Sequence, residues 1–234
     1  DLVLEASRVK PSDNPPLKQP SEFTIIGKPF PRQDVPVKVN GKAMFGIDHS
    51  VPGMLYASIE RSPIFLAKVK SFNKDEVLKV PGVKFVFQTS REVYGQTREG
   101  VAILADTYWN SVQGRKALKV DWDTLGLEKV SGETILADSY ESAKGMGDEL
   151  FTQGDTGKVL SESKNIIEAS YETPYQSHVP MEPMNALVHI RENDAEFWGS
   201  TQNPNGVPTF IAKKYNLSED KVKINYTFMG GGFG

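Results

Sequence analysis

His178 and Glu182 stand four residues apart, a spacing that on a helix would present an imidazole and a carboxylate on one face as metal ligands. Pro180 and Pro183 break any helix there, and the chain has only 3 histidines, none of the others close by. A packed or solvated histidine is the stronger reading, so no metal site on protein ligands is assigned. Ser177 beside His178 raises the question of a hydrolase nucleophile. No G-x-S-x-G elbow occurs in the sequence, which weakens that idea further.

Two loops carry more. Met229–Gly234 reads MGGGFG directly after an alternating stretch. It lacks the Lys-Ser/Thr pair of a phosphate loop, and the helix and acidic residue of a dinucleotide fingerprint. Glycines at a strand end adopt positive φ without strain and leave N–H groups open to a phosphate or an oxo group. The residue types leave flexible tail and binding loop both open. The second loop, GSTQNPNGV, leaves an apolar strand at Phe197 and Trp198 and gathers amides and hydroxyls before a helix. It reads as a capped turn or as a site.

The elements that would hold these loops alternate between strand and helix. Asn40-Gly41 within VKVNGKAMFGID predicts a hairpin. MLYASIER alternates, with Leu55, Ala57 and Ile59 as the apolar face, and VKFVFQT places Val83, Phe85 and Phe87 on one side. Lys74–Val80 predicts a short helix, SREVYGQTREG a polar loop, VAILAD a buried strand, and Thr107 a cap for a helix to Leu118. LKVDWD closes this unit as a strand. One helix is expected around Ile135–Ala143. IIEASYETPYQ predicts a strand, ALVHI and EFWGSTQ a hairpin, VPTFIAKKYN a helix and KVKINYTF a last strand. The class is α+β.

Composition narrows the functions. A net charge of −3 gives no electrostatic reason to expect nucleic acid or an anionic membrane as partner. No apolar run nears the ~20 residues of a membrane span, and no targeting signal is visible. With 0 cysteines, the chain itself can hold no thiolate nucleophile, Cys-ligated zinc or iron–sulfur cluster.

Seven stretches, KVNGKAMFGID, PGMLYASIERSP, AKVKSF, VPGVKFVF, MEPMNALV, EFWGSTQNPN and MGGGFG, together resemble the molybdenum-binding large subunit of the xanthine dehydrogenase/aldehyde oxidase family. IGKPFPRQD and MEPMN are most similar to its isoquinoline 1-oxidoreductase beta-subunit branch. The resemblance runs from Phe23 onward, and its specificity lies in the order and spacing of the motifs.

The Pro- and Lys-rich residues 1–33 read as an extended arm or as a disordered leader, and the polar residues 124–164 as a connector. The resemblance implies an α/β-hammerhead domain over 34–123. The start of the first molybdopterin-binding domain would occupy 165–234. It implies that Gln202 faces the molybdenum's oxo ligand, and that Gly230, Gly231, Gly232, Phe233 and Gly234 lie against the metal centre and pterin. The family's general-base glutamate has no counterpart in these residues, and Glu182 is not a substitute. Implied with the family are a molybdenum–molybdopterin cofactor in its cytosine dinucleotide form and a small subunit carrying [2Fe-2S] clusters. Further polypeptide, on this chain or a second one, would complete the site. The implied reaction hydroxylates an N-heteroaromatic or aldehyde substrate with water-derived oxygen, and this stretch alone would be inactive. A periplasmic location is implied for this branch. The rival readings are a non-catalytic hammerhead module acting in assembly and a small-ligand binding protein using the 200–206 loop.

Overall fold

The computed structural model describes residues 2–145 and 147–233. Its first sheet has the order β1 (Tyr56–Glu60), β4 (Gln96–Ala105), β3 (Val83–Val93), all antiparallel. A two-stranded ribbon, β2 (Lys68–Phe72) with β5 (Val120–Asp123), flanks it. Helices α3 (Lys74–Leu78) and α4 (Tyr108–Ala117) cover one face. Val77, Val83, Val86, Val101, Ile103 and Ala105 form the core between them, with Phe72 and Leu118 packed at its edge. Full burial of a side chain such as Ile103 stabilises the fold by roughly 1.5–3 kcal/mol. Thr107 caps α4 by accepting from the Asn110 N–H at 3.1 Å, which the sequence predicts.

Three local expectations change. The stretch SREVYGQTREG is no loop: it extends β3 and β4, which turn through Tyr94 (φ 49°) and Gly95 (φ 73°). Two consecutive positive φ values suit the twist of a two-residue hairpin. A bulge between Val83 and Phe85 puts Val83 on the helix-covered face, while Phe85 and Phe87 lie on the other, exposed face. In β1 it is Ser58, not the apolar Ala57 and Ile59, that is buried; its hydroxyl donates to the Ser111 carbonyl at 2.9 Å. Close approach of α4 to this sheet favours a small polar residue with a built-in partner over a large apolar one.

The N-terminal arm is exposed but not wholly extended, since α1 (Leu2–Arg8) is helical. No hairpin forms at Asn40-Gly41. Val35–Val39 is a short helix, α2, with Pro36 in its first turn, where a missing N–H is harmless. Asp34 at its start pairs with Lys38 and Arg32, and these partners hold its carboxyl down at about 2. Beyond the first unit come α5 (Gly132–Ala143), opened by Ser131, and a second helix, α6 (Thr156–Glu162), capped by Asp155. Residues 166–176 form no strand; no neighbouring strand offers them a ladder among the described residues.

The second sheet has the order β6 (Leu187–Ile190), β7 (Ala195–Gly199), β8 (Val222–Tyr226). The β6–β7 pair is the expected hairpin, and β7 runs parallel to β8 through helix α7 (Gly206–Tyr215). Val207, Ile211 and Ala212 of α7 pack on Ala195, Phe197 and Val222. Phe210 and Tyr215 point away, so the buried stripe of α7 is narrower than its apolar sequence.

Candidate functional site

Parallel pairing of β7 with β8 decides where the two chemically interesting loops go. Gly199 lies opposite Tyr226, so residues 200–205 and 227–233 leave the carboxyl ends of adjacent parallel strands. That end of an α/β crossover is where ligands commonly bind. The loops are joined there: the Thr227 N–H donates to the Gly199 carbonyl at 3.4 Å, and the Tyr226 hydroxyl to the Pro204 carbonyl at 3.4 Å. In the first loop the Thr201 hydroxyl accepts from the Asn203 N–H, and Asn203 Oδ1 accepts from the Gly206 N–H as α7 begins. These bonds fix the backbone on both sides of Gln202. Its own side chain is exposed and makes no hydrogen bond with another described residue.

The glycine loop is held from behind by residues 178–185. Glu182 forms a two-way backbone contact with Gly230: the Gly230 N–H donates to Oε2 at 2.8 Å, and the Glu182 N–H donates to the Gly230 carbonyl at 3.1 Å. Oε1 of the same carboxylate accepts from the Ile47 N–H at 3.1 Å and from Asn185 Nδ2 at 2.9 Å. Partial burial alone would push the Glu182 carboxyl up. The donors from Asn185, Gly230, Ile47 and Gly46 outweigh it, and the net displacement is below the ordinary carboxylate range. A third strand-like contact joins the same region, where Phe45 bridges Phe228 in parallel and the Phe228 N–H donates to the Met44 carbonyl at 3.3 Å. Lys38 Nζ lies 4.8 Å from the centre of the Phe228 ring.

The glycines differ in what they are for. A Cβ on Gly230 would stand 2.2 Å from Glu182 Cβ. Gly231 has φ +132°, and its Cβ would meet Pro180 Cβ at 3.0 Å. Gly232 would touch only the movable end of Met229, at 2.8 Å. The first two are therefore required by the protein's own packing. The N–H groups of Gly231, Gly232 and Phe233 find no backbone acceptor among the described residues. Phe233 is exposed and tilts against His178 with ring centres 6.3 Å apart. Gly234, also expected at the site, lies outside the described residues.

The structure thus places Gln202 and Gly230–Phe233 at one end of one sheet. Both oxygens of Glu182 are occupied by protein donors, which accounts for the residue without a metal. What the sequence reading missed is this use of Glu182 and Asn185. The signal available was a pair of distant glycines, Gly46 and Gly230, each lacking room for a side chain against the same MEPMN segment.

Comparisons with known proteins find relatives over most of the chain. Residues 141–234 match the molybdopterin cofactor-binding domain. The isoquinoline 1-oxidoreductase beta subunit of Brevundimonas diminuta is 29% identical over 93% of this chain and 28% of its own length. The membrane-bound aldehyde dehydrogenase (pyrroloquinoline-quinone) of Gluconacetobacter polyoxogenes is 30% identical over 94% of this chain and 29% of its own. In structure, the aldehyde oxidoreductase of Desulfovibrio gigas superposes with a TM-score of 0.63 at 21% identity, covering 87% of this chain and 27% of that one. The chain thus spans less than a third of the length of these relatives. Domain match and curated relatives point the same way: residues 141–234 match a molybdopterin cofactor-binding domain, and over most of its length the chain is similar to members of the xanthine dehydrogenase/aldehyde oxidase family.

Proposed function

We propose that this chain forms one wall of the cofactor site of a molybdenum hydroxylase acting on an N-heteroaromatic or aldehyde substrate. The observation that carries the reading is the meeting of the Gln202 loop and the glycine loop at the carboxyl ends of β7 and β8. A bound molybdenum–molybdopterin would supply oxygen-atom and two-electron chemistry. The donor set suits such a group. Among the described residues Gln202 has an amide without a partner, and Gly231, Gly232 and Phe233 have N–H groups without a backbone acceptor, on a loop with no side chain in the way until Phe233. Gln202 would orient an oxo group, and the loop would hold the planar pterin and keep water from that face.

In this reading residues 34–123 are the hammerhead domain, and the general base is supplied by polypeptide outside the residues described. Electrons would leave to [2Fe-2S] clusters on a small partner subunit. The cytosine dinucleotide form of the cofactor and a periplasmic location belong to the same proposal, by resemblance to the isoquinoline branch.

The test is analysis of the protein purified with its natural partners. Molybdenum and pterin in near-equal amounts with the chain are expected, and their absence, or a bound quinone in their place, refutes the reading. In the same complex Gln202→Ala is expected to lower turnover by about 10–100-fold while leaving the unfolding midpoint unchanged. Equal loss of turnover and folded protein would remove Gln202 from the site.

A further inference from the structure

The glycine loop needs more than glycines to act as a donor surface. A run of bare backbone loses more conformational entropy on ordering than any other sequence, so its N–H groups are aimed only if something fixes the loop. One contact does this within a residue of the unengaged donors. The Gly230 N–H and carbonyl are both bonded to Glu182, and Gly231 N–H follows immediately. Through its other oxygen, Glu182 is bonded to Ile47, 135 residues away in sequence. Asn185 Nδ2 donates to that oxygen and also to the Pro183 carbonyl at 2.8 Å, so the carboxylate is itself oriented.

We propose that Glu182 is the positioning residue of this site, with Asn185 as its support: it sets the glycine loop so that Gly231–Phe233 present their N–H groups to the cofactor. The inference rests on the cofactor reading above for its purpose, but not for its geometry. Two features favour it over a general structural strap. Glu182 is only half-buried, and its partners Ile47, Asn185 and Gly230 belong to neither hydrophobic core cluster. And the two glycines that face this segment, Gly46 and Gly230, are each required to be bare by it. A Cβ on Gly46 would lie 2.5 Å from Asn185 Oδ1 and 3.3 Å from Glu182 Oε1; one on Gly230 would lie 2.2 Å from Glu182 Cβ. The site is cleared for a carboxylate from both sides.

Glu182→Gln is the informative change, because it keeps the shape and replaces one acceptor oxygen by an NH2 group. That group must face either the Gly230 N–H or the Ile47 N–H, and donor against donor repels. In the assembled full-length protein, E182Q is expected to speed hydrogen exchange at the Gly230 amide by about tenfold or more. Retention of molybdenum on dialysis is expected to fall by roughly 10–100-fold in affinity, with an unfolding midpoint like that of the wild type. Asn185→Ala leaves both backbone bonds in place, so it should show the same pattern more weakly and serves if E182Q folds poorly. Wild-type exchange at Gly230 in both variants overturns the proposal, as does metal loss that merely tracks loss of folded protein. If the wild-type complex holds no molybdenum yet Gly230 exchange still rises in E182Q, the tether stands and its cofactor purpose, with the function above, falls.

Discussion

Replacing Gly230 by Ala separates a loop that is bare because of its own protein from one that is bare only for a ligand. The new Cβ would sit 2.2 Å from Glu182 Cβ, whereas non-bonded carbons rest at ~3.5–4.0 Å. Backbone must therefore retreat by about 1.3 Å or more. The two bonds of the Gly230–Glu182 pair measure 2.8 and 3.1 Å, so that retreat takes both beyond the ~3.5 Å at which a hydrogen bond ceases to count. The charge-assisted one is worth ~1.5–3 kcal/mol and the neutral one ~0.5–1.5 kcal/mol, a combined upper bound of ~2–4.5 kcal/mol for local attachment. Because both core clusters lie elsewhere, the loop should detach instead of the protein unfolding. Amide exchange over 229–233 should then rise by up to roughly 30- to 2,000-fold with an unchanged urea midpoint. Gly232→Ala is the matched control, since its Cβ meets only the end of Met229, which rotates away. Indistinguishable exchange in the two variants would refute the account of why Gly230 is glycine.

Two further outcomes are expected. The Glu182 carboxyl is held below its ordinary value in the folded state, so its contribution is complete above ~4.3 and is lost as pH falls through the lowered folded value. Protection at Gly230, corrected for intrinsic exchange, should decline across that acid window in the wild type and stay flat in E182Q; a flat wild-type profile would contradict the assignment. In the first unit, a Cβ on Gly114 would lie 2.8 Å from Ile103 Cγ2 and 2.9 Å from Val83 Cγ2. Gly114→Ala should destabilise by ~1–3 kcal/mol through overpacking, offset by ~1 kcal/mol of helix propensity, read as a lower urea midpoint at constant m.

How much of this was legible in the sequence depends on the range of the deciding contact. Thr107 and Asn110 lie three residues apart and settle the start of α4 between themselves; the alternation in EFWG and KVKIN was equally local. The short segment at Asn40-Gly41 carries a hairpin signal, yet its partner is Phe228, far along the chain, and so Val35–Val39 coils while Phe45 pairs elsewhere. Tyr94 hid the β3–β4 turn, because a bulky residue at φ 49° is not one that turn chemistry predicts. Of the candidate site, Gln202 and the glycines were visible as residue types, and the parallel pairing that brings their loops together was not.

The glycine loop has two sides with different reasons for being bare. Gly230 and Gly231 are emptied toward residues 180–182, where Pro180 and Glu182 fill the space. Gly232 and Phe233 are exposed, and among the described residues the N–H groups of Gly231, Gly232 and Phe233 find no backbone acceptor. Were the run only a flexible tail, no carboxylate would be required to fix its first residue, and Gly46 would have no reason to be bare opposite the same carboxylate. A loop anchored at one end and unsatisfied at the other is pre-ordered for a ligand that accepts hydrogen bonds. Part of the entropy such a ligand would otherwise have to overcome is then settled at folding. In the proposed site the position of Glu182, more than the glycines themselves, is what orders the loop over Gly230–Phe233.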